Sequence, residues 1–217
     1  YALEVHGKYS GKFGVIRPFD PESASISSDM EKWAATPGVV GARIMLRPPS
    51  FPSNHSGLNE ILSSAAKVRL PVNMMCSGNL KVFGELAQNN PNTQLVIDHV
   101  GLDQPHAPPA PENTFSDLNS VVALASLDNV AIKISGACTL SQNPFPYHDI
   151  WEPLGQLFKA FGFERCMWGT DWTRAVELLT YEQGVEAFRV TDSISDSEKA
   201  VLMGGSLTSI YKWAPES

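Results

Sequence analysis

At 217 residues the chain is long enough for one domain with a substantial core, and its 43% hydrophobic content is that of an ordinary globular protein. A mean hydropathy of -0.11, without a long apolar run, argues against a membrane span. The net charge of -7 argues against a nucleic-acid partner, because no basic stripe is present to neutralise phosphates; a small anionic substrate held by local arginines is still allowed.

The first strand-like run covers residues 12–17. Its Phe13, Val15 and Ile16 are apolar on both faces, so a neighbour is expected on each side. A helix follows, with Ser28 and Glu31 at capping-box spacing and Pro37-Gly38 as its stop. The second run, 39–45, carries Arg43 inside it and Arg47 just beyond, followed by a proline-rich stretch at 48–54. Leu58, Ile61, Leu62, Ala65 and Ala66 then recur at helical spacing. A third run at 71–75 leads into Cys76, and a helical stripe from Leu80 to Ala87 stops at Asn89-Asn90-Pro91.

The fourth run, 94–100, ends in Asp98-His99-Val100-Gly101 and opens a second proline-rich loop at 101–113. A stripe of Phe115, Leu118, Val121, Val122 and Ala125 precedes the fifth run, 129–135, which holds Lys133. Ile150, Trp151, Leu154, Leu157, Phe158 and Phe161 form another stripe, closed by Gly162. The sixth run, 165–169, ends Thr170-Asp171-Trp172, with Arg174 next. Thr180–Gln183 and Ser195–Glu198 are two more capping boxes. Every gap between strands is long enough for a helical crossover, so a parallel sheet with helices outside is expected.

Strand carboxyl ends are where such a sheet keeps its chemistry. Asp171 and His99 both stand there, and a carboxylate meeting an imidazole can activate water, alone or through a metal. The competing readings are a helix N-cap for Asp171 and a satisfied core residue for His99. Arg43 and Arg47 need anions, either a neighbouring carboxylate or a substrate carboxylate. Trp172, Arg174 and Cys76 are further candidates for contact with substrate. Lys133 fits an ion pair with Asp98 or another buried carboxylate better than a carbamylated or catalytic role. Cys76, Cys138 and Cys166 are three widely spaced thiols, which speaks against disulfides and suggests a reducing, cytoplasmic setting. No glycine-rich phosphate loop and no serine nucleophile elbow is present.

The runs Ile97-Asp98-His99-Val100-Gly101, Val130-Ala131-Ile132-Lys133-Ile134-Ser135-Gly136 and Met167-Trp168-Gly169-Thr170-Asp171-Trp172, in that order, resemble the amidohydrolase-related (amidohydrolase 2) family. Within it they are similar to the branch of 2-pyrone-4,6-dicarboxylate lactonase and the sugar-acid lactonases. Leu202-Met203-Gly204-Gly205-Ser206 is similar to that branch's closing helix. The resemblance implies a (β/α)8 TIM barrel forming a single domain over 1–217. His99 matches a later-strand histidine, Asp171 matches the eighth-strand aspartate, and Arg43 resembles an arginine that holds a substrate carboxylate. The family's first-strand H-x-H pair has no counterpart, so the six runs are expected to be the third to eighth strands of a barrel lacking its first two β/α units. The resemblance also implies one divalent metal ion such as zinc, held in part by Asp171 and His99, although some members work without one. Met74-Met75-Cys76 and Gly136-Ala137-Cys138 stand where relatives place polar residues or an arginine.

The expected function is hydrolysis of a small, carboxylate-bearing lactone. Two alternatives are metal-dependent amide hydrolysis or decarboxylation on the same scaffold, and an inactive barrel that only binds. Homo-oligomerisation is left open.

Overall fold

A computed structural model describes residues 1–9, 11–46 and 51–216. Arg47 and the start of the first proline-rich stretch lie outside the described residues. Strand and helix alternate along the chain, and the six strands follow one another in sheet order as β1 (Val15–Pro18), β2 (Val39–Met45), β3 (Val72–Met75), β4 (Leu95–Ile97), β5 (Val130–Ser135) and β6 (Cys166–Gly169). The pairings β1–β2, β2–β3 and β5–β6 are parallel.

The chain divides into two compact units. The first covers 1–96, 127–130 and 207–217. It contains α1 (Ala2–Lys8), α2 (Ile26–Ala34), α3 (Ser56–Val68) and α4 (Leu80–Asn89). Leu58, Ile61, Leu62 and Ala65 of α3 are fully buried, as the helical spacing requires, and α2 packs on α3. Phe83 and Leu86 bury the matching stripe of α4. Each such side chain contributes about 1.5–3 kcal/mol on burial. β1 pairs with β2 and stands at the end of the strand order, and Phe13 lies before it, 47% exposed.

The second unit covers 97–126 and 131–206. Its helices are α5 (Leu118–Ala123), α6 (Trp151–Phe161), α7 (Trp172–Ala175), α8 (Tyr181–Arg189) and α9 (Asp196–Ala200), followed by a π-helical turn at Val201–Gly205. A last helix, α10 (Ser206–Tyr211), follows that turn. Leu154, Leu157, Phe158 and Phe161 of α6 are buried, and α5 packs against α6. Ser206 Oγ donates to the Cys166 carbonyl, which ties the end of the π-turn to the start of β6. β5 and β6 run in register, with Ser135 opposite Gly169. Two parallel strands therefore end side by side, and their last residues face the loops that carry the polar cluster.

The helix boundaries follow local chemistry. Thr180 and Ser195 form both expected capping boxes. The box expected at Ser28 does not form: α2 begins earlier, at Ile26, and Ser28 Oγ donates back to the Ser25 carbonyl. The strand expected over 94–100 stops at Ile97, because the backbone turns left-handed at His99, Val100 and Gly101.

Candidate active site

The turn after β4 is built against ordinary backbone preference. His99, Val100 and Gly101 have φ of 52°, 64° and 71°. A non-glycine residue held there costs on the order of 1–3 kcal/mol, and a β-branched valine is the least suited to it. Val100 is fully buried, and the Gly101 N–H donates to the Asp98 carbonyl at 3.0 Å, so packing and a closed turn hold the shape. Asp98 stays beside the strand end and pairs with Lys133 of β5 at 3.3 Å. Lys133 is thus engaged in an ion pair.

His99 Nδ1 lies 3.0 Å from Ser135 Oγ, at the end of β5, and 3.4 Å from Asp171 Oδ2. Asp171 follows β6 and has φ 51°, again left-handed. It occupies the N-cap position of α7, yet its side chain makes no capping bond. The Asp171 backbone carbonyl accepts from the N–H groups of Arg174 and Ala175, while the carboxylate turns to other partners. Oδ2 accepts from Arg174 Nε at 2.5 Å. The His99, Asp171 and Arg174 side chains are each less than a fifth exposed.

Arg174 directs the rest of its guanidinium at protein groups. Nη1 donates to the Pro105 carbonyl at 2.5 Å, and Nη2 donates to Gln104 Oε1 at 2.5 Å and Thr139 Oγ1 at 3.0 Å. Gln104 in turn donates through Nε2 to the carbonyls of His99 at 3.0 Å and Ser135 at 3.1 Å. Gly136, with φ 71°, leaves the space this requires, since a Cβ there would collide with Arg174 Nη2 and Gln104 Oε1. A planar fork of five donors suits such a multiple clamp in a way that a lysine head does not.

His99, Asp171 and Arg174 come together in the second unit, with Trp172 beside them in sequence. Trp172 packs edge-on against Tyr181, ring centroids 5.5 Å apart. Arg43 and Cys76 belong to the first unit. Arg43 sits in β2 opposite Asn73, whose buried side chain accepts a hydrogen bond from the Tyr211 hydroxyl at 2.8 Å. Cys76 is buried just past β3. The sequence reading passed over Gln104, whose one available signal was an amide inside the proline-rich loop 101–113. Ser135 entered that reading only as part of the run 130–136, and Thr139 did not enter it. Burial pushes the Cys138 and Cys166 thiols up to about 12, so neither is a thiolate nucleophile near neutral pH.

The donor set can be tested against a metal ion. His99 and Asp171 supply two ligand groups, and among the described residues no three of His, Cys, Asp and Glu gather in one place. The Arg174 cation also covers Oδ2. A catalytic zinc site uses three protein ligands, so the described residues do not fit one by themselves.

Comparison with known proteins places this geometry. The sequence model of a family described as amidohydrolase matches residues 1–206. A 4-sulfomuconolactone hydrolase from Rhizobium radiobacter is 34% identical over 80 residues, which cover 37% of this chain. The match spans 25% of that protein's length. Among solved structures, an amidohydrolase from Burkholderia multivorans with bound zinc aligns with a TM-score of 0.75 at 20% identity, covering 98% of this chain and 78% of its own. A Pseudomonas putida structure provisionally named 2-pyrone-4,6-dicarboxylic acid hydrolase also aligns at 0.75, with 19% identity, covering 99% of this chain and 77% of its own. At such identities the structural likeness speaks for a shared fold.

Proposed function

This chain belongs to the amidohydrolase family, and we propose that it hydrolyses a small carboxylate-bearing lactone, with water activated at Asp171 and His99. The observation that carries this reading is the approach of His99 Nδ1 to Asp171 Oδ2 at 3.4 Å, from two separate strand ends that each hold a left-handed backbone. Strain of that kind gathers at sites where it serves geometry. The lactone in the name of the Rhizobium radiobacter relative supports the substrate class.

In the proposed reaction Asp171 Oδ1 takes a proton from water. That oxygen accepts no hydrogen bond from the described residues, whereas Oδ2 is taken by Arg174. The water oxygen bonds to the lactone carbonyl carbon, and the ring of His99 steadies the oxyanion. The carbonyl re-forms, the ring C–O bond breaks, and Asp171 returns its proton to the leaving alkoxide. The product is an open-chain hydroxy acid. Arg174 acts in this scheme as a positioning residue: it fixes which carboxylate oxygen faces the water.

We assign the six strands to six units of a (β/α)8 barrel. The support is that alignments spanning 98% and 99% of this chain occupy 78% and 77% of the two solved structures.

The test is proton release in a pH-stat with 4-sulfomuconolactone and 2-pyrone-4,6-dicarboxylate as first substrates. Ring opening by the protein, lost in Asp171→Asn and in His99→Ala, supports the reading. Turnover that survives both substitutions places the chemistry elsewhere.

A further inference from the structure

A cavity of about 390 Å³ opens in the second unit between the loops that follow β4, β5 and β6. Pockets of this size hold small ligands. Its wall combines apolar faces, those of Pro109, Phe145 and Leu178 among them, with the neutral polar side chains of Ser141, Gln142 and Asn143. Thr139 lines it too, and the Thr139 hydroxyl accepts a hydrogen bond from Arg174, which holds Asp171. Two side chains in series, Thr139 and Arg174, therefore link the cavity wall to the carboxylate of Asp171.

Among the described residues, the lining carries no Asp, Glu, Lys, Arg or His. The Cys138 thiol that reaches it stays protonated near neutral pH because it is buried. Phe145 and Tyr147 meet edge-on, centroids 5.8 Å apart, and present an aromatic wall. Tyr147 is buried and held at φ 62°, a left-handed conformation that costs energy in any residue with a Cβ. Its hydroxyl reaches Gln183 Oε1 at 3.4 Å, beyond the usual O–H···O length. A buried hydroxyl with so long a bond is a donor that an incoming acceptor can improve on.

We propose that this cavity is the specificity pocket of the reaction described above, and that it takes an uncharged, ring-sized substituent of the lactone rather than a second carboxylate. The proposal rests on the lactonase reading. Its argument is that desolvating a carboxylate in a wall without a cation is unfavourable, whereas a phenyl group buries its surface against the aromatic and proline faces. The tip of such a substituent meets the Tyr147 hydroxyl and the Gln183 amide.

The experiment compares three γ-butyrolactones that each carry a β-carboxylate: one otherwise unsubstituted, one with a γ-phenyl group and one with a second, γ-carboxylate group. Binding is read by saturation-transfer NMR on the full chain, and turnover by pH-stat. The phenyl lactone is expected to bind and to show kcat/KM about ten-fold or more above the unsubstituted ring, as filling a hydrophobic pocket supports. The dicarboxylate is expected to fall below both. Ala110→Trp, which fills the cavity from the loop after β4, and Leu178→Ala, which removes part of the wall, should each collapse the phenyl preference towards unity. Two variants from different loops guard against misfolding of either one. Preference for the dicarboxylate, or a phenyl preference that survives both substitutions, overturns the proposal. Phenyl lactone bound in the cavity but opened by no variant sinks the lactonase reading and leaves the pocket standing. Turnover of the plain ring with neither binding nor preference for the phenyl form does the reverse.

Discussion

Two helices in the same unit begin nine residues apart and are started in opposite ways. At Thr180 the backbone is extended, with φ -81°, and the side chain accepts from the Gln183 N–H while Gln183 bonds back. At Asp171 the backbone is left-handed, with φ 51°, and the carboxylate makes no capping bond although aspartate is among the best capping residues. Thr180 uses its side chain to stabilise its own helix. Asp171 gives up that gain, about 1 kcal/mol for a typical cap, takes on backbone strain, and presents its carboxylate to His99 and Arg174. A polar side chain withheld from the local bond it is suited to make is a mark of function that can be read residue by residue.

The comparison breaks most decisively at Asp171 itself. Asp171→Asn keeps the size of the side chain and removes the base, so lactone turnover should fall by a factor of about 10²–10⁴ with the circular dichroism spectrum unchanged. Turnover within a few-fold of wild type would make Asp171 another structural residue, no different in kind from Thr180. The next effect is that of Arg174→Lys. A single ammonium cannot reach Asp171, the Pro105 carbonyl, Gln104 and Thr139 together, so kcat should drop about ten-fold or more with KM little changed. A raised KM at constant kcat would instead make Arg174 an anchor for the substrate carboxylate.

Thr180→Ala sharpens the other side. It should lower stability by about 1 kcal/mol, a fall of roughly 2–4 °C in Tm by calorimetry, and leave kcat alone. The smallest effect belongs to Asp149, a carboxylate used in the manner of Thr180. Burial pushes its pKa up, but bonds from the Ser141 hydroxyl, the Gln142 N–H and the Asn143 side chain outweigh burial and hold it below the ordinary value. With a lowered folded-state pKa, its contribution is complete above the ordinary carboxylate range and disappears as pH falls through the folded value. Asp149→Asn should therefore flatten the acid limb of a stability–pH curve. An unchanged acid limb would mean those bonds carry no net stability.

Legibility in the sequence followed the range of each interaction. The strand at 39–45 was read to the residue because Val39, Val40, Ile44 and Met45 surround a buried small pair, Gly41 and Ala42. The boxes at Thr180 and Ser195 were read because all their bonds span three residues. The strand over 94–100 was overrun because Val100 continues the apolar run, and nothing local announces that a buried valine turns left-handed. Gln104 escaped because two of its three partners, Ser135 and Arg174, are 31 and 70 residues away. Arg174 was read as a substrate contact from its place after Asp171, while its donors are directed at a loop and a turn that only folding brings near.

The sequence by itself therefore determined the alternation of strands and helices, the strand ends on which His99 and Asp171 stand, and the caps that start α8 and α9. These depend on apolar periodicity and on bonds within a few residues, both of which are present before any tertiary contact forms. Only the tertiary structure decided that Ser135 and Arg174 join His99 and Asp171 in one cluster, and that Arg174 closes over Asp171. Those contacts need the left-handed turns after β4 and β6, and such turns persist only where packing around Val100 and the clamp of Arg174 offsets their strain.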